Sequence, residues 1–207
     1  SGEQSISIPL GKIKITRKVK SLTVIIRSYT FGDAEDSKVM LDQNKKRIFD
    51  LPKIEYTLRT IKSVIKSSEI AKEFFKDIEI KIIITDDKSN KENLDRIDQV
   101  LKVSDLKTEL INLKENEFND EIKTIDTNGN NISKNMISNM RNLFKSLQIA
   151  ENEETDLFYF LEDDYIHTKE AITEMLFTYE KISSQLNQEL FLCPADYPYL
   201  YSSIDNS

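Results

Sequence analysis

Short runs of β-branched and aromatic residues alternate along this chain with longer stretches of helical periodicity. Three of the runs are five to seven residues long, which suits a buried strand and is too short for a core helix. They are Leu22–Ile26, Ile78–Ile84 and Leu157–Leu161. Because no obvious hairpin turn joins successive strands, the order implies helices that cross over a sheet. The pattern predicts an α/β fold with a mostly parallel sheet and helices on both faces.

Apolar residues at helical spacing mark the helices between these runs. The helical segments include Leu58, Leu94, Met136 and Ile172. Pro52 suits the first turn of the first helix, and Thr168 is the expected N-cap of the last. Two further apolar segments, Leu106–Leu113 and Phe191–Cys193, are interpreted as additional strands.

No linker or internal repeat divides the 207 residues, a length that suits one domain with a substantial core. We expect a leader or edge segment over residues 1–20 and one domain over residues 21–207. The basic run Lys12–Lys20 carries interleaved apolar residues and is interpreted as an edge strand or a solvated arm. Phe31–Asp50 is charged and lacks clear periodicity, which indicates an irregular insertion.

Charge and cysteine content argue against several classes of partner and site. With a formal net charge of −7 and a pI near 5.0, the chain repels a phosphate backbone, so we expect no nucleic-acid partner. The single cysteine, Cys193, allows neither an internal disulfide nor a cysteine-based zinc site and fits a reducing, cytoplasmic setting. No apolar run approaches the roughly 20 residues of a membrane helix, so we expect no transmembrane segment.

Polar clusters follow three of the predicted strands. They are Arg27–Thr30, Asp86–Ser89 and Glu162–Asp164. Ligands of open α/β sheets bind beyond the carboxyl ends of the strands, so we expect the three clusters to converge on one crevice.

Three adjacent carboxylates, Glu162 to Asp164, would repel one another at a strand end. A divalent cation removes that repulsion, and hard oxygen ligands suit Mg²⁺ or Mn²⁺. The alternative is a solvated acidic turn before a helix N-terminus, which also favours negative charge. For Asp86 and Asp87 the corresponding alternative is an ordinary Asx-type loop between a strand and a helix.

Several common catalytic sites are missing from the sequence. It contains no glycine-rich phosphate loop, which argues against a P-loop and a dinucleotide fingerprint. His167 is the only histidine, which argues against a histidine-rich metal site and makes a Ser-His-Asp triad a poor interpretation.

Four segments resemble the motifs of family-2 glycosyltransferases, which have the α/β fold called GT-A. Leu22–Thr30 is similar to the family's V-S-V-I-I-P-T-Y-N, Ile82–Asn90 to V-V-D-D-G-S-T, Met140–Leu143 to A-R-N-x-G and Phe158–Asp164 to F-L-D-D-D, the DXD motif. The four occur in the family order over roughly residues 22 to 175. Arg27 replaces the usual proline, Lys88 the usual glycine and Glu162 the first aspartate of the DXD motif.

The resemblance implies that the chain transfers a sugar from a nucleotide diphosphate donor, a UDP-sugar first of all, to a glycan or lipid-linked acceptor hydroxyl. It implies an inverting, metal-assisted reaction with Mn²⁺ or Mg²⁺. By the same resemblance, Tyr29 or Thr30 would line the nucleotide base, and Asp86 or Asp87 would contact the base or ribose.

The remaining implied roles fall after residue 140. Arg141 would lie near the diphosphate or support that loop, and Asp163 would reach the ribose. Asp164, with Glu162, would hold the metal against the diphosphate. The family's general base is a carboxylate well beyond the metal motif, and Asp196 is the local candidate here. The chain would then lack or not show a C-terminal acceptor region.

Two other interpretations stay open. A nucleotidyltransferase that makes activated sugars has a related fold, but it normally carries a glycine-rich N-terminal loop with a basic residue that Arg27–Gly32 lacks. A catalytically silent GT-A-like domain would keep nucleotide binding or act as a scaffold without turnover.

Overall fold

The structure, a computed structural model, describes residues 12–30, 51–125, 127 and 129–194, with the backbone alone for Asn135. Four strands and four helices alternate in the described residues. They are β1 (Ser21–Ser28), α1 (Lys53–Phe74), β2 (Glu79–Asp86), α2 (Lys91–Lys102), β3 (Lys107–Asn112), α3 (Lys134–Asn152), β4 (Leu157–Glu162) and α4 (Ala171–Leu186). The predicted insertion Phe31–Asp50 and the candidate base Asp196 lie outside the described residues.

The four strands form one sheet in the order β3-β2-β1-β4, and every pair is parallel. The predictions of an α/β fold and of a parallel sheet are confirmed. β1 and β2 are the central strands, and their side chains are almost continuously buried because helices cover both faces. The predicted third strand is β3.

Helices pack on both faces of the sheet. Leu22, Val24 and Ile26 of β1 belong to a core cluster with apolar residues of α1, α2 and α4. The alternate residues of β1 point to the other face of the sheet, toward α3. The hydrogen bond from Arg27 Nη1 to Asn139 Oδ1 shows this (3.1 Å). Each central strand is therefore buried between α3 and the other three helices.

Two details of the sequence prediction are wrong. Thr168 is not the N-cap of α4, because residues 168–170 form a turn in which the Thr168 carbonyl accepts the Ala171 amide (3.3 Å), and Glu170 occupies the cap. Phe191–Cys193 is not a strand: Leu190 packs against the core, whereas Phe191 is fully exposed. Without a neighbouring strand or a face to bury, an apolar triplet does not form a β-ladder.

The described part of the leader, residues 12–20, runs along α4 without entering the sheet. The backbone amides of Thr16 and Arg17 donate to Ser184 Oγ, each at 3.0 Å, and that of Val19 donates to Glu180 Oε1 at 2.8 Å. Side chains of α4 thus satisfy the backbone donors of an extended segment. No helix in the described residues is both long enough and apolar enough to cross a membrane.

Candidate functional site

The three polar clusters predicted from the sequence lie at the same edge of the sheet. The parallel register pairs Ser28 with Asp86 and Arg27 with Glu162. Parallel strands end together, so the loops after β1, β2 and β4 leave the sheet side by side. The carboxyl edge of β1, β2 and β4 is therefore the candidate site.

Asp86, the last residue of β2, is completely buried and holds the turn that follows it. Its Oδ1 accepts the Ser89 amide (2.9 Å), and its Oδ2 accepts the Ser89 hydroxyl (2.6 Å). Burial raises the pKa of Asp86, the hydrogen bonds from Ser89 oppose that rise, and the nearby Asp163 charge adds to it. These are the contacts of an Asx-type loop, the alternative that the sequence left open.

Thr30 joins the loop after β1 to the same turn. Its amide and its hydroxyl both lie within hydrogen-bond distance of Ser89 Oγ, at 3.0 and 2.5 Å. Asn93 in the first turn of α2 donates its Nδ2 to Thr30 Oγ1 at 3.0 Å. Thr30 is therefore buried and links β1 to α2, whereas Tyr29, the other candidate for the base, is half-buried.

Asp87 and Arg141 form a buried ion pair between the end of β2 and α3. Arg141 Nη1 lies 3.1 and 3.2 Å from the two oxygens of Asp87, and Ser138 donates its hydroxyl to Asp87 Oδ2 at 2.6 Å. The same guanidinium donates from Nε to the Glu117 carbonyl (2.8 Å) and from Nη2 to the Lys114 carbonyl (2.6 Å). Arg141 thus supports the loop after β3 and the end of β2.

Lys88 has a backbone conformation that lysine rarely adopts. Its φ is +73°, in the left-handed region that glycine enters without steric penalty. The backbone turn between β2 and α2 therefore keeps the shape that glycine favours, although a lysine occupies it. The exposed Lys88 side chain leaves the core undisturbed.

Glu162 and Asp163 are engaged on opposite faces of the sheet. On the α3 side, Arg27 Nη2 donates to Glu162 Oε1 at 2.9 Å. On the α1 side, Asp163 Oδ1 lies 2.7 Å from Lys53 Nζ, and Asp163 Oδ2 accepts the Thr57 hydroxyl at 2.7 Å. The Tyr29 amide also donates to Asp163 Oδ2, at 3.3 Å, so the loop after β1 is tied to β4.

Asp164 is the most exposed of the three acidic residues. Its side chain is 53% exposed, and its Oδ2 lies 3.8 Å from Lys53 Nζ, beyond hydrogen-bond distance. Across the part of the chain that the structure describes, no group of three or more acidic, histidine or cysteine side chains is arranged to hold a metal ion. A metal that a nucleotide brings needs only one or two carboxylates besides the phosphates. The metal role of Glu162 and Asp164 stays a prediction.

A cavity of about 680 Å³ adjoins the edge on the side of β2 and β3. The loop after β3 and the start of α3 close it, and its walls include Asp87, Lys88, Asn112, Asn116 and Arg141. Its volume lies within the range of small-molecule sites. Two of the predicted nucleotide-binding residues, Asp87 and Arg141, line it, whereas Asp86 does not.

Sequence reasoning missed Lys53 and Asn142 as parts of this edge. Asn142 is buried and donates its Nδ2 to the Ser28 carbonyl at 2.7 Å, so α3 also holds the end of β1. A signal for Lys53 existed. Lys53 is the first residue of a helix, where the helix dipole disfavours a positive charge. A lysine at this position therefore indicates that carboxylates lie nearby to stabilise it.

In comparisons with known proteins, no family model, no curated protein and no solved structure matches this chain. The likeness to family-2 glycosyltransferases therefore rests on the four sequence motifs alone.

Proposed function

We propose that this chain is a GT-A-like glycosyltransferase that binds a nucleotide diphosphate sugar at the carboxyl edge of the sheet. One observation carries the proposal: the four segments that resemble the family's motifs meet at one edge. Tyr29 bonds to Asp163, Asn142 bonds to Ser28, and Arg141 bonds to Asp87. Segments far apart in the chain thus lie at one edge of the sheet, which supports a common binding site.

The cavity beside β2 and β3 is the proposed position of the nucleotide base. Asp87, Lys88 and Arg141 belong to segments of the resemblance, and the carboxamides of Asn112 and Asn116 add neutral donors and acceptors. Because each guanidinium nitrogen of Arg141 already contacts Asp87 or a backbone carbonyl, this cavity suits a polar, uncharged group better than a phosphate.

The proposed reaction is an in-line displacement at the anomeric carbon. The acceptor oxygen forms a bond to that carbon while the bond to the diphosphate breaks, and the acceptor proton passes to a carboxylate base. Asp196 is the proposed base, and it lies outside the described residues. A bound Mn²⁺ or Mg²⁺ would supply positive charge to the leaving diphosphate, with Asp164 as its exposed carboxylate.

A thermal-shift panel tests donor binding. A ligand that binds only the folded chain raises its melting temperature, by the equivalent of about 2.7 kcal/mol at one hundred times its Kd. We expect UDP, GDP or another nucleoside diphosphate to raise the melting temperature, with inorganic phosphate as the control. If no nucleotide stabilises the chain more than phosphate does, the proposal is wrong.

A catalytically silent nucleotide-binding or scaffold domain is the second candidate. It is favoured by the full engagement of Asp86, Asp87 and Asp163 in internal contacts, which makes their first role structural. Donor hydrolysis separates the two candidates. Nucleotide binding without release of sugar, with several donors and with Mn²⁺ added, would support the silent domain.

A further inference from the structure

We propose that the Lys53 ammonium contacts the diphosphate directly, so that diphosphate binding does not depend on a divalent metal ion. This inference rests on the proposed nucleotide diphosphate site. It assigns the charge-neutralising role to a residue that the motif resemblance does not include.

Lys53 lies beside the acidic run Glu162–Asp164, at the place where the sequence predicts a metal cation. It is the first residue of α1, and its Nζ is 2.7 Å from Asp163 Oδ1 and 3.8 Å from Asp164 Oδ2. The ammonium thus bridges the two carboxylates that the resemblance assigned to the ribose and to the metal. It neutralises part of the repulsion that motivated the metal prediction.

Without the phosphates of a bound nucleotide, the acidic run offers few free donors for a metal ion. Both oxygens of Asp163 are engaged, one with Lys53 and the other with the Thr57 hydroxyl and the Tyr29 amide. Glu162 is paired with Arg27 on the other face of the sheet. Asp164 is the carboxylate with the weakest contact, and a divalent cation bound there would lie close to the positive charge of Lys53.

Lys53 retains capacity for a ligand. An ammonium has three donors, and within the described residues only its contact with Asp163 is short enough for a hydrogen bond. The side chain is 18% exposed, and its more exposed partner is Asp164, at 53%. A phosphate oxygen at this position would receive a charge-assisted hydrogen bond from a donor that Asp163 already orients.

The two arginines at the edge, Arg27 and Arg141, are less suited to the role. Arg141 is committed to Asp87 and to two carbonyls, and Arg27 to Glu162 and Asn139. Binding a diphosphate with either would break contacts that hold strand ends together. Lys53 can add a phosphate contact without losing its bond to Asp163.

The test is titration calorimetry with whichever of UDP and GDP binds the wild type more tightly, in EDTA and in Mn²⁺. We expect wild-type affinity to differ by less than about twofold between the two conditions. Lys53→Gln should weaken binding in EDTA roughly 10- to 100-fold, the effect of losing one charged hydrogen bond. Lys53→Arg, which keeps the charge, should retain most of the affinity.

Lys66→Gln is the matched control, because Lys66 is on the same helix and its side chain is 62% exposed. It should bind as the wild type does. Binding that requires Mn²⁺, or wild-type affinity in a folded Lys53→Gln variant, would overturn the inference while leaving the proposed function intact. If neither nucleotide binds the wild type in either condition, both proposals fail. The wild-type comparison needs no variant and decides the metal question even if Lys53→Gln does not fold.

Discussion

The two sides of the candidate site each contain a basic residue paired with an aspartate, but the pairs are built differently. On the β2 side, Arg141 and Asp87 are 4% and 2% exposed, and backbone carbonyls take the remaining donors that Arg141 uses. On the β4 side, Lys53 and Asp164 reach solvent, and only Asp163 between them is buried. The closed pair, Arg141 with Asp87, fixes the shape of the edge. The open group, Lys53 with Asp163 and Asp164, has capacity for a ligand. A cation that lies close to a carboxylate is therefore not, by itself, evidence of a binding site.

The strongest contrast is expected from removing the cation of the closed pair. Arg141→Met leaves the Asp87 carboxylate buried without its counter-charge, which should lower the free energy of unfolding by about 3–5 kcal/mol. Urea denaturation measures this. Arg96→Met is the control, because the Arg96–Glu55 pair is partly exposed and should contribute at most about 1 kcal/mol. Equal losses in the two variants would mean that burial does not distinguish the pairs.

Within the open group, Asp163 and Asp164 should differ in how much they contribute to stability. Asp163→Asn removes the charge that holds Lys53 and weakens the bonds from Thr57 and Tyr29, which should cost about 2–3 kcal/mol of stability. Asp164→Asn changes an exposed side chain and should alter stability by at most about 0.5 kcal/mol. Chemical denaturation of both variants measures the difference. A large loss in Asp164→Asn would show that this side is closed as well.

The pH dependence of stability should identify the buried Asp86. Because burial raises its pKa in the folded chain, the native state holds a proton that the unfolded state releases first. The stability that this group contributes therefore falls as the pH rises from its ordinary pKa of 3.8 through the raised pKa. We expect Asp86→Asn to gain stability relative to the wild type over that window. Urea midpoints at pH 4 and pH 7 measure it, and a constant difference between the two proteins would contradict the prediction.

The smallest effect concerns the left-handed turn beside the closed pair. Lys88→Gly should raise the free energy of unfolding by up to about 1 kcal/mol, because glycine adopts a φ of +73° without steric strain. Lys62→Gly, at an exposed position inside α1, should instead lose about 1 kcal/mol. Thermal unfolding of the two variants measures both signs. Destabilisation of Lys88→Gly would mean that its lysine side chain contributes to the fold.

The sequence predicted the sheet well because the strands carry their own signal. Leu22–Ile26 is apolar at four of its five positions, and Ile78–Ile84 has isoleucine at five of its seven, a density of apolar residues that strands buried on both faces require. The same local logic failed for Phe191–Cys193, since a short apolar run forms a strand only where a neighbour can pair with it. The start of α4 was predicted at Thr168, but it depends on a turn between Thr168 and Ala171 that local sequence preferences do not specify.

The site was predictable in position but not in its contacts. Strand ends placed Asp86, Asp87 and Asp163 at one edge without any knowledge of their partners. The partners Lys53 and Ser138 come from other helices, and no spacing rule connects a residue of α1 with one that follows β4. Which carboxylates are free and which are already paired is decided by tertiary packing, which the sequence alone does not specify.

The central position of β1 has a consequence for how the chain folds during synthesis. Among the strands in the described residues, β1 is the first to be made and one of its two neighbours, β4, is the last, and the Arg27–Glu162 contact joins residues 135 positions apart. Such long-range parallel pairing is slow to form because the intervening loop must close first. Until Leu157–Glu162 has left the ribosome, one edge of β1 has no strand to pair with. A nascent chain that still lacks β4 therefore exposes the backbone donors and acceptors of that β1 edge, which can pair with another chain.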